Sequence, residues 1–486
     1  MKNNLFDKFL YYEHKHKYFD IEFEGFKIWE ILRTYVYIDI EQIYNKLQPL
    51  FPQTSKKRLK KISLNTIIKS FKIFFTKKQD YIFLNNPRRV KQKDGKYYCI
   101  YTDLLIDLLK KDYKCITFED PYWALSPSTN VSHFEPVKTD SICYLDFIEH
   151  IFKIKKYFFK KIFTKNYREL HSIIQKIEKD VEKEFECDLS NIFRIGEDKI
   201  IYILLTYKIY KKIIKRINPK AVFEFYDVFP SKIVVNKIAK ELKIPIIEIQ
   251  HGIVTENNPI FLKYYNLNRK YDCLPDYVLS YGKRLLNTNH MPINKSNIYY
   301  IGSLFLETKK KEYENEKTSK KNILFVSQSN LGKYISECAS KLSDLLKNNN
   351  EYHIIYKMHP YEIGTEYECL KKENITIINN RDKDLYYFQS ISIAQVGVYS
   401  TGLYEGLAFG LDTFILNNCY GSKEIKSILK KNSNIYYIDE ANEILKKIKN
   451  KQISKTINND YWEYVDYDKI SNIILSILNK KKHKTH

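Results

Sequence analysis

Apolar residues in this chain fall into two kinds of run. Short β-branched runs at Tyr81–Leu84, Cys115–Phe118, Ala221–Phe225, Ile246–Ile249, Tyr277–Ser280 and Tyr299–Ile301 predict strands. Between them lie helical periods such as Ser231–Leu242, where the apolar residues 233, 234, 238 and 242 share one face. The alternation restarts further on. Strands are expected at Ile323–Val326, His353–Tyr356, Ile375–Ile378, about Ile393–Val398, Thr413–Leu416 and Ile435–Ile438, with helices at Gly332–Leu346, about Leu403–Phe409 and Asp468–Leu478. The two series are separated by 307–321, ETKKKEYENEKTSKK, which has no aliphatic residue and reads as a solvated linker.

This pattern predicts an α/β protein of two doubly wound, Rossmann-like domains facing across a cleft. Residues 1–75 form a helical N-terminal extension, 76–305 the first α/β domain, 306–321 the linker and 322–486 the second domain, whose last helix is placed to cross back to the first. No internal repeat is visible.

Composition narrows the class. With 44% hydrophobic and 29% charged residues in 486, the chain is globular. No run approaches the length of a membrane span, and charges interrupt the N-terminus where a signal core would lie. The eight cysteines are scattered without a CxxC pair, which supports neither a disulfide framework nor a zinc site. A cytosolic protein is expected, able to rest on the inner face of the plasma membrane. The net charge of +23 has two explanations. One is attraction to an anionic partner; the other is A/T-rich codon usage, which favours Lys, Asn, Ile, Tyr and Phe. Phe152–Lys165 interleaves apolar residues with lysines 153, 155, 156, 160, 161 and 165, and suits either an anionic membrane surface or an ordinary surface helix.

In open parallel sheets, ligands bind beyond the carboxyl ends of the strands. Three segments follow strands directly. In QVGVYSTGLYEGLAFG, Ser400 and Thr401 stand where a helix begins, able to cap it or to bond a phosphate beside free backbone N–H groups. Glu405 lies about 7.5 Å further along that helix, comparable with the phosphate-to-ribose separation in a nucleotide. Gly402 and its three neighbouring glycines allow either ligand approach or close helix packing. In YHIIYKMHPYEIG, His359 follows a strand, with Lys357 adding positive charge. In EIQHG, a buried strand runs into Gln250, His251 and Gly252, and the glycine permits a turn that aims His251 at the cleft. Asp227 follows another strand and either caps the next helix or, like His251, serves as a general base. Ser327 and Gln328 end the strand after the linker and reach the same cleft from the far side. Asp94-Gly95 reads as a hairpin turn.

His359-Pro360 followed by Ser400-Thr401-x-x-x-Glu405 resembles the HP and STxxxE motifs of GT-B-fold bacterial glycosyltransferases that build capsule and lipopolysaccharide, notably capsule Kdo transferases and bacterial sialyltransferases. The EIQHG segment resembles capsular biosynthesis proteins and CDP-glycerol transferases. The resemblance is strongest over residues 220–418. It implies that His359, Ser400 and Thr401 hold a donor phosphate and Glu405 the ribose. It implies glycosyl transfer from a nucleotide sugar, CMP-linked by preference, to a hydroxyl of a surface glycan. The family's acidic base beside a glycine has no clear counterpart here, since Asp94 lies in turn text and Asp227 lacks the glycine.

No cofactor is expected beyond the nucleotide-sugar substrate, and no metal, because the lone DxD match, Asp382–Asp384, lies in polar loop text. The expected partners are the donor, a glycan or lipid-linked acceptor and an anionic membrane, with no nucleic acid. A CDP-polyol phosphotransferase or a nucleotide-sugar epimerase is the nearest alternative. A basic nucleic-acid-binding protein or a non-catalytic assembly protein is the alternative from another class.

Overall fold

The computed structural model describes residues 5–45, 64–85, 87, 89–121, 132–162, 164–225, 229–255, 262–316, 318–328, 331–359, 362, 367–379, 382–417, 425–426, 428–429, 434–450 and 461–482. Asp227 and Pro360 lie outside them. The first sheet has seven strands: β1 (Tyr81–Asn85), β2 (Cys115–Glu119), β3 (Ile142–Tyr144), β4 (Ala221–Glu224), β5 (Ile246–Ile249), β6 (Tyr277–Ser280) and β7 (Ile298–Tyr300), in the order β7-β6-β5-β4-β1-β2-β3. The second has six: β8 (Lys321–Val326), β9 (Tyr352–Lys357), β10 (Ile375–Ile378), β11 (Ser392–Gly397), β12 (Asp412–Leu416) and β13 (Ile435–Ile438), in the order β10-β9-β8-β11-β12-β13. Every pairing in both sheets is parallel. Each sheet starts near its middle, winds outward, then returns to the other side, so strand order reverses between β1 and β4 and between β8 and β11. This is the two-domain GT-B architecture expected from the alternation of runs.

Parallel strands are covered on both faces, which is why the first four residues of β1 read Tyr-Ile-Phe-Leu, with no charged position. Ile82 and Leu84 enter the core built with the N-terminal helices. Tyr81 and Phe83 enter the opposite core, together with Ile470, Ile474 and Ile477 of the last helix, Tyr467–Lys482. Residues 467–482 therefore complete the first domain rather than the second. Their apolar period is what covers that face of the first sheet.

The N-terminal helices Leu5–Lys15 and Ile28–Tyr44 share a core with the long helix Ser190–Ile217. Arg33 is fully buried there, donating through Nε and Nη2 to Glu13 at 2.9 and 2.7 Å and through Nη2 to the Lys263 carbonyl at 2.8 Å. These ties join residues far apart in sequence, so residues 5–45 are part of the first domain's packing.

The solvated linker is corrected by the structure. Ser303 accepts from the Leu306 N–H at 3.3 Å and starts a helix, Leu304–Glu312. Lys309 is buried on it, pairing with Glu312 at 2.8 Å and with Asp384 of the second domain at 2.9 Å. The apolar triplet Leu304-Phe305-Leu306 anchors this helix, and it lies just before the polar run. Asp384 in turn caps the helix Leu385–Ser390 by accepting from the Tyr387 N–H. Asp94-Gly95 turns a two-stranded ribbon, with Gly95 at φ +78°. Among the described residues no helix is long and apolar enough to cross a membrane.

Candidate functional site

The carboxyl ends of β8 and β11 meet where the second sheet reverses its winding. Gln328, just past β8, accepts the Tyr399 N–H at 3.1 Å and so ties the two strand ends together. Ser400 is the N-cap of the helix Thr401–Leu407, accepting from the Gly402 N–H at 3.3 Å. Gly402 and Gly406 serve packing: a Cβ would lie 2.5 Å from Leu385 Cδ2 at the first and 2.0 Å from Gln395 Oε1 at the second. Thr401 and Glu405 project from this helix into a cavity between the domains.

His359 and Lys357 lie at the end of the neighbouring strand, β9. The His359 N–H donates to Glu362 Oε2 at 2.7 Å. Glu362 is buried and also accepts from Ser327 Oγ at 2.9 Å and Tyr367 Oη at 2.8 Å. Ser327 is thus committed to a buried network that shapes the His359 turn. The sequence reading missed Glu362, although it stands three residues past His359 in the same segment.

From the first domain, β5 ends in Gln250-His251-Gly252. Gln250 is saturated within that domain: its Oε1 accepts from Ser280 Oγ and the Tyr281 N–H at 2.7 and 2.9 Å, and its Nε2 donates to the Gly252 and Leu285 carbonyls at 2.7 Å each. The side chain expected in the cleft therefore builds the turn instead. His251 and Gly252, carried by that turn, do line the cavity. His251 Nδ1 is 3.8 Å from Glu248 Oε1. Glu248 stands opposite Glu224 in the β4–β5 register, and both are buried. Burial, then the Glu248 charge, hold the Glu224 carboxyl well above the usual range. Asn236 Nδ2 donates to both Glu224 oxygens.

The cavity thus joins His251 and Gly252 with Thr401 and Glu405 across the domain boundary, walled by Tyr101, Tyr281, Tyr386, Tyr404 and Trp462. Tyr386 Oη donates to Glu405 Oε1 at 3.2 Å. Burial pushes the Glu405 carboxyl up to about 7, the Tyr386 bond opposing and the Asp384 charge adding to the shift. The aromatic wall went unread in the sequence, although Tyr404 precedes Glu405, Tyr281 follows the strand Tyr277–Ser280, and Tyr386 and Trp462 stand in the runs LYYF at 385–388 and YWEY at 461–464.

No protein-family model matches this chain, and no curated protein sequence matches it. Among solved structures it is similar to UDP-GlcNAc 2-epimerase from Methanocaldococcus jannaschii, with a TM-score of 0.48 and 11% identity over 82% of this chain and 99% of that one. UDP-GlcNAc 2-epimerase from Neisseria meningitidis, bound to UDP-GlcNAc, gives a TM-score of 0.48 and 12% identity over 82% and 100%. MurG from Acinetobacter baumannii gives 0.45 and 10% over 82% and 99%. At such identities no side-chain role passes from those proteins to this one.

Proposed function

We propose that this protein is a glycosyltransferase that moves a sugar from a nucleotide-sugar donor to a hydroxyl of a surface polysaccharide acceptor. One observation carries the reading. Thr401 and Glu405 of the second domain and His251 of the first converge on one cavity at the carboxyl ends of two parallel sheets. In this reading Glu405, once ionised, accepts from the ribose hydroxyls, and Thr401 with the helix N-terminus meets the donor phosphate. Ser400 after β11 and His359 and Lys357 after β9, two strands away, do not line the cavity, and in this reading they approach the phosphate from its outer side. A CMP-linked donor is the one that the resemblance of His359-Pro360 and Ser400-Thr401-x-x-x-Glu405 favours.

The acceptor hydroxyl gives its proton to His251 as its oxygen bonds to the anomeric carbon. The bond from that carbon to the phosphate oxygen breaks, and its electron pair leaves with the nucleotide. Donors fixed before the reaction stabilise this charge without reorganising. Asp227 remains a second candidate for the base. The acceptor's place at the inner face of the membrane makes a peripheral location part of the same proposal, and no metal is required by it.

The test is thermal shift against CMP-, UDP-, GDP- and CDP-linked sugars, followed by product analysis with and without glycan acceptor. The reading expects a CMP-linked donor to raise the melting temperature in the wild type and far less in Glu405→Gln. Conversion of the nucleotide sugar in the absence of acceptor would favour an epimerase, whose proton transfers the same Glu405 and His251 pair could serve. No stabilisation by any nucleotide sugar would remove both.

A further inference from the structure

The helix Leu64–Phe75 is turned inside out. Its buried positions include Thr66, Ser70 and Ile73, whereas Leu64, Ile67, Ile68, Phe71 and Phe75 face solvent, the first, third and last of these being 72%, 60% and 77% exposed. The spacing of these five places them along one continuous stripe. Ser70 tolerates the interior because its Oγ donates to the Thr66 carbonyl at 2.7 Å. A soluble surface has no use for such a stripe, which costs solvation at every exposed aliphatic group.

We infer that this helix is a docking surface for an anionic lipid bilayer. Charge selects that occupant. Between positions 56 and 78 the sequence carries nine Lys or Arg and no Asp or Glu. An apolar stripe within a strongly basic stretch matches acyl chains below and anionic headgroups around it. A second copy of this chain is a poorer match, since its own stripe belongs to the same basic run of sequence. The neighbouring helix Asp146–Ile162, part of the segment singled out in the sequence, also exposes Ile154, Tyr157 and Phe158. Lysines of both helices are partly committed within the protein: here Lys155 donates to the Leu205 carbonyl and Lys156 pairs with Asp198, and on Leu64–Phe75 Lys69 pairs with Glu135 at 2.7 Å. The longer apolar stripe is what sets Leu64–Phe75 apart. Phe71 and Phe147 join the two helices with ring centroids 4.2 Å apart. The inference goes beyond the proposed reaction and does not depend on it.

The experiment is co-sedimentation of the full chain with phosphatidylcholine vesicles, with and without phosphatidylglycerol, at low and high salt. Wild type should bind the anionic vesicles at low salt and release as salt shortens the reach of its charges. Leu64→Ser/Ile68→Ser/Phe75→Ser should lower the bound fraction about tenfold or more, with an unchanged circular dichroism melt. Lys77→Glu/Lys78→Glu, at two exposed positions just past the helix, should weaken binding without touching the stripe. Three results would overturn the inference: no binding by wild type at low salt; full binding by the triple Ser variant with loss instead in Ile154→Ser/Tyr157→Ser/Phe158→Ser; or a wild-type dimer in sedimentation velocity that the triple Ser variant dissolves.

Discussion

Trp462 Nε1 donates to the carbonyl oxygen of Tyr404 at 2.7 Å. Tyr404 sits on the helix that carries Thr401 and Glu405, whereas Trp462 belongs to the strap leading back to the first domain. The next residue, Glu463, donates its N–H to the Tyr281 carbonyl at 2.8 Å, and the Trp462 and Tyr281 rings lie 5.2 Å apart. One short segment therefore grips both walls of the cavity.

That grip requires two glycines. A Cβ at Gly282 would lie 2.1 Å from the Tyr461 carbonyl oxygen, and one at Gly302 would lie 2.3 Å from the Glu463 carbonyl oxygen. Gly302 also has φ +72°, a conformation that side chains disfavour. Gly282→Ala and Gly302→Ala are each expected to cost about 1–3 kcal/mol, with Gly302 the worse. Both should expose the strap to protease. Thermal melts and limited proteolysis check this, and wild-type behaviour in both variants would mean the strap is loosely held.

Glu405 makes two pH predictions of opposite sign. Its folded-state carboxyl is raised from 4.5 to about 7 by burial. Ribose binding needs the ionised form, so donor affinity should rise as pH climbs through about 7. Stability runs the other way: the contribution is full below about 4.5 and is lost as pH rises through 7. Glu405→Gln should flatten both profiles, weaken donor binding, and raise stability above pH 7 by on the order of 1–3 kcal/mol. Calorimetric titration and melts across pH are the measurements; a donor affinity independent of pH in wild type would reject the ribose role.

His251 and Glu248 predict a kinetic split. Loss of a general base lowers turnover by about 10²–10⁴, so His251→Ala should reduce kcat while leaving the donor's thermal shift in place. Glu248→Gln removes the carboxylate 3.8 Å from Nδ1 and should move the acidic limb of the pH–rate profile to lower pH rather than abolish activity. An unchanged profile would assign the base to Asp227 instead.

Arg33→Met leaves Glu13 buried without its guanidinium partner. Removing one member of a buried pair costs about 3–5 kcal/mol, and the loss should appear in denaturant unfolding of the whole first domain. Arg33→Met/Glu13→Leu should recover much of it. If the single variant unfolds only a local N-terminal fragment, residues 1–45 are an appendage after all.

The strands were legible because their signal is local. β-branched runs such as Ile246–Ile249 and Ile375–Ile378 appear in the fold with the bounds their composition suggests. Residues at strand exits were legible for the same reason: His251 and Thr401, singled out by position, and Glu405, one turn along the helix from Thr401, all line the cavity. Ile142–Tyr144 was missed because three residues between a loop and a long helix hold too short a pattern.

What the sequence determined by itself is therefore the list of elements and the residues standing at their ends, since backbone pairing and side-chain period are set by near neighbours. Tertiary packing decided the rest. Only packing turned Gln250 and Ser327 inward to build turns, brought Trp462 beside Tyr404, and set Glu405 half-buried in the cavity, which pushes its carboxyl up to about 7. Packing also decided which face of Leu64–Phe75 meets water. An apolar stripe on a helix reads the same in sequence whether it is pressed on a core or turned outward, because the period records the stripe and not what lies opposite it.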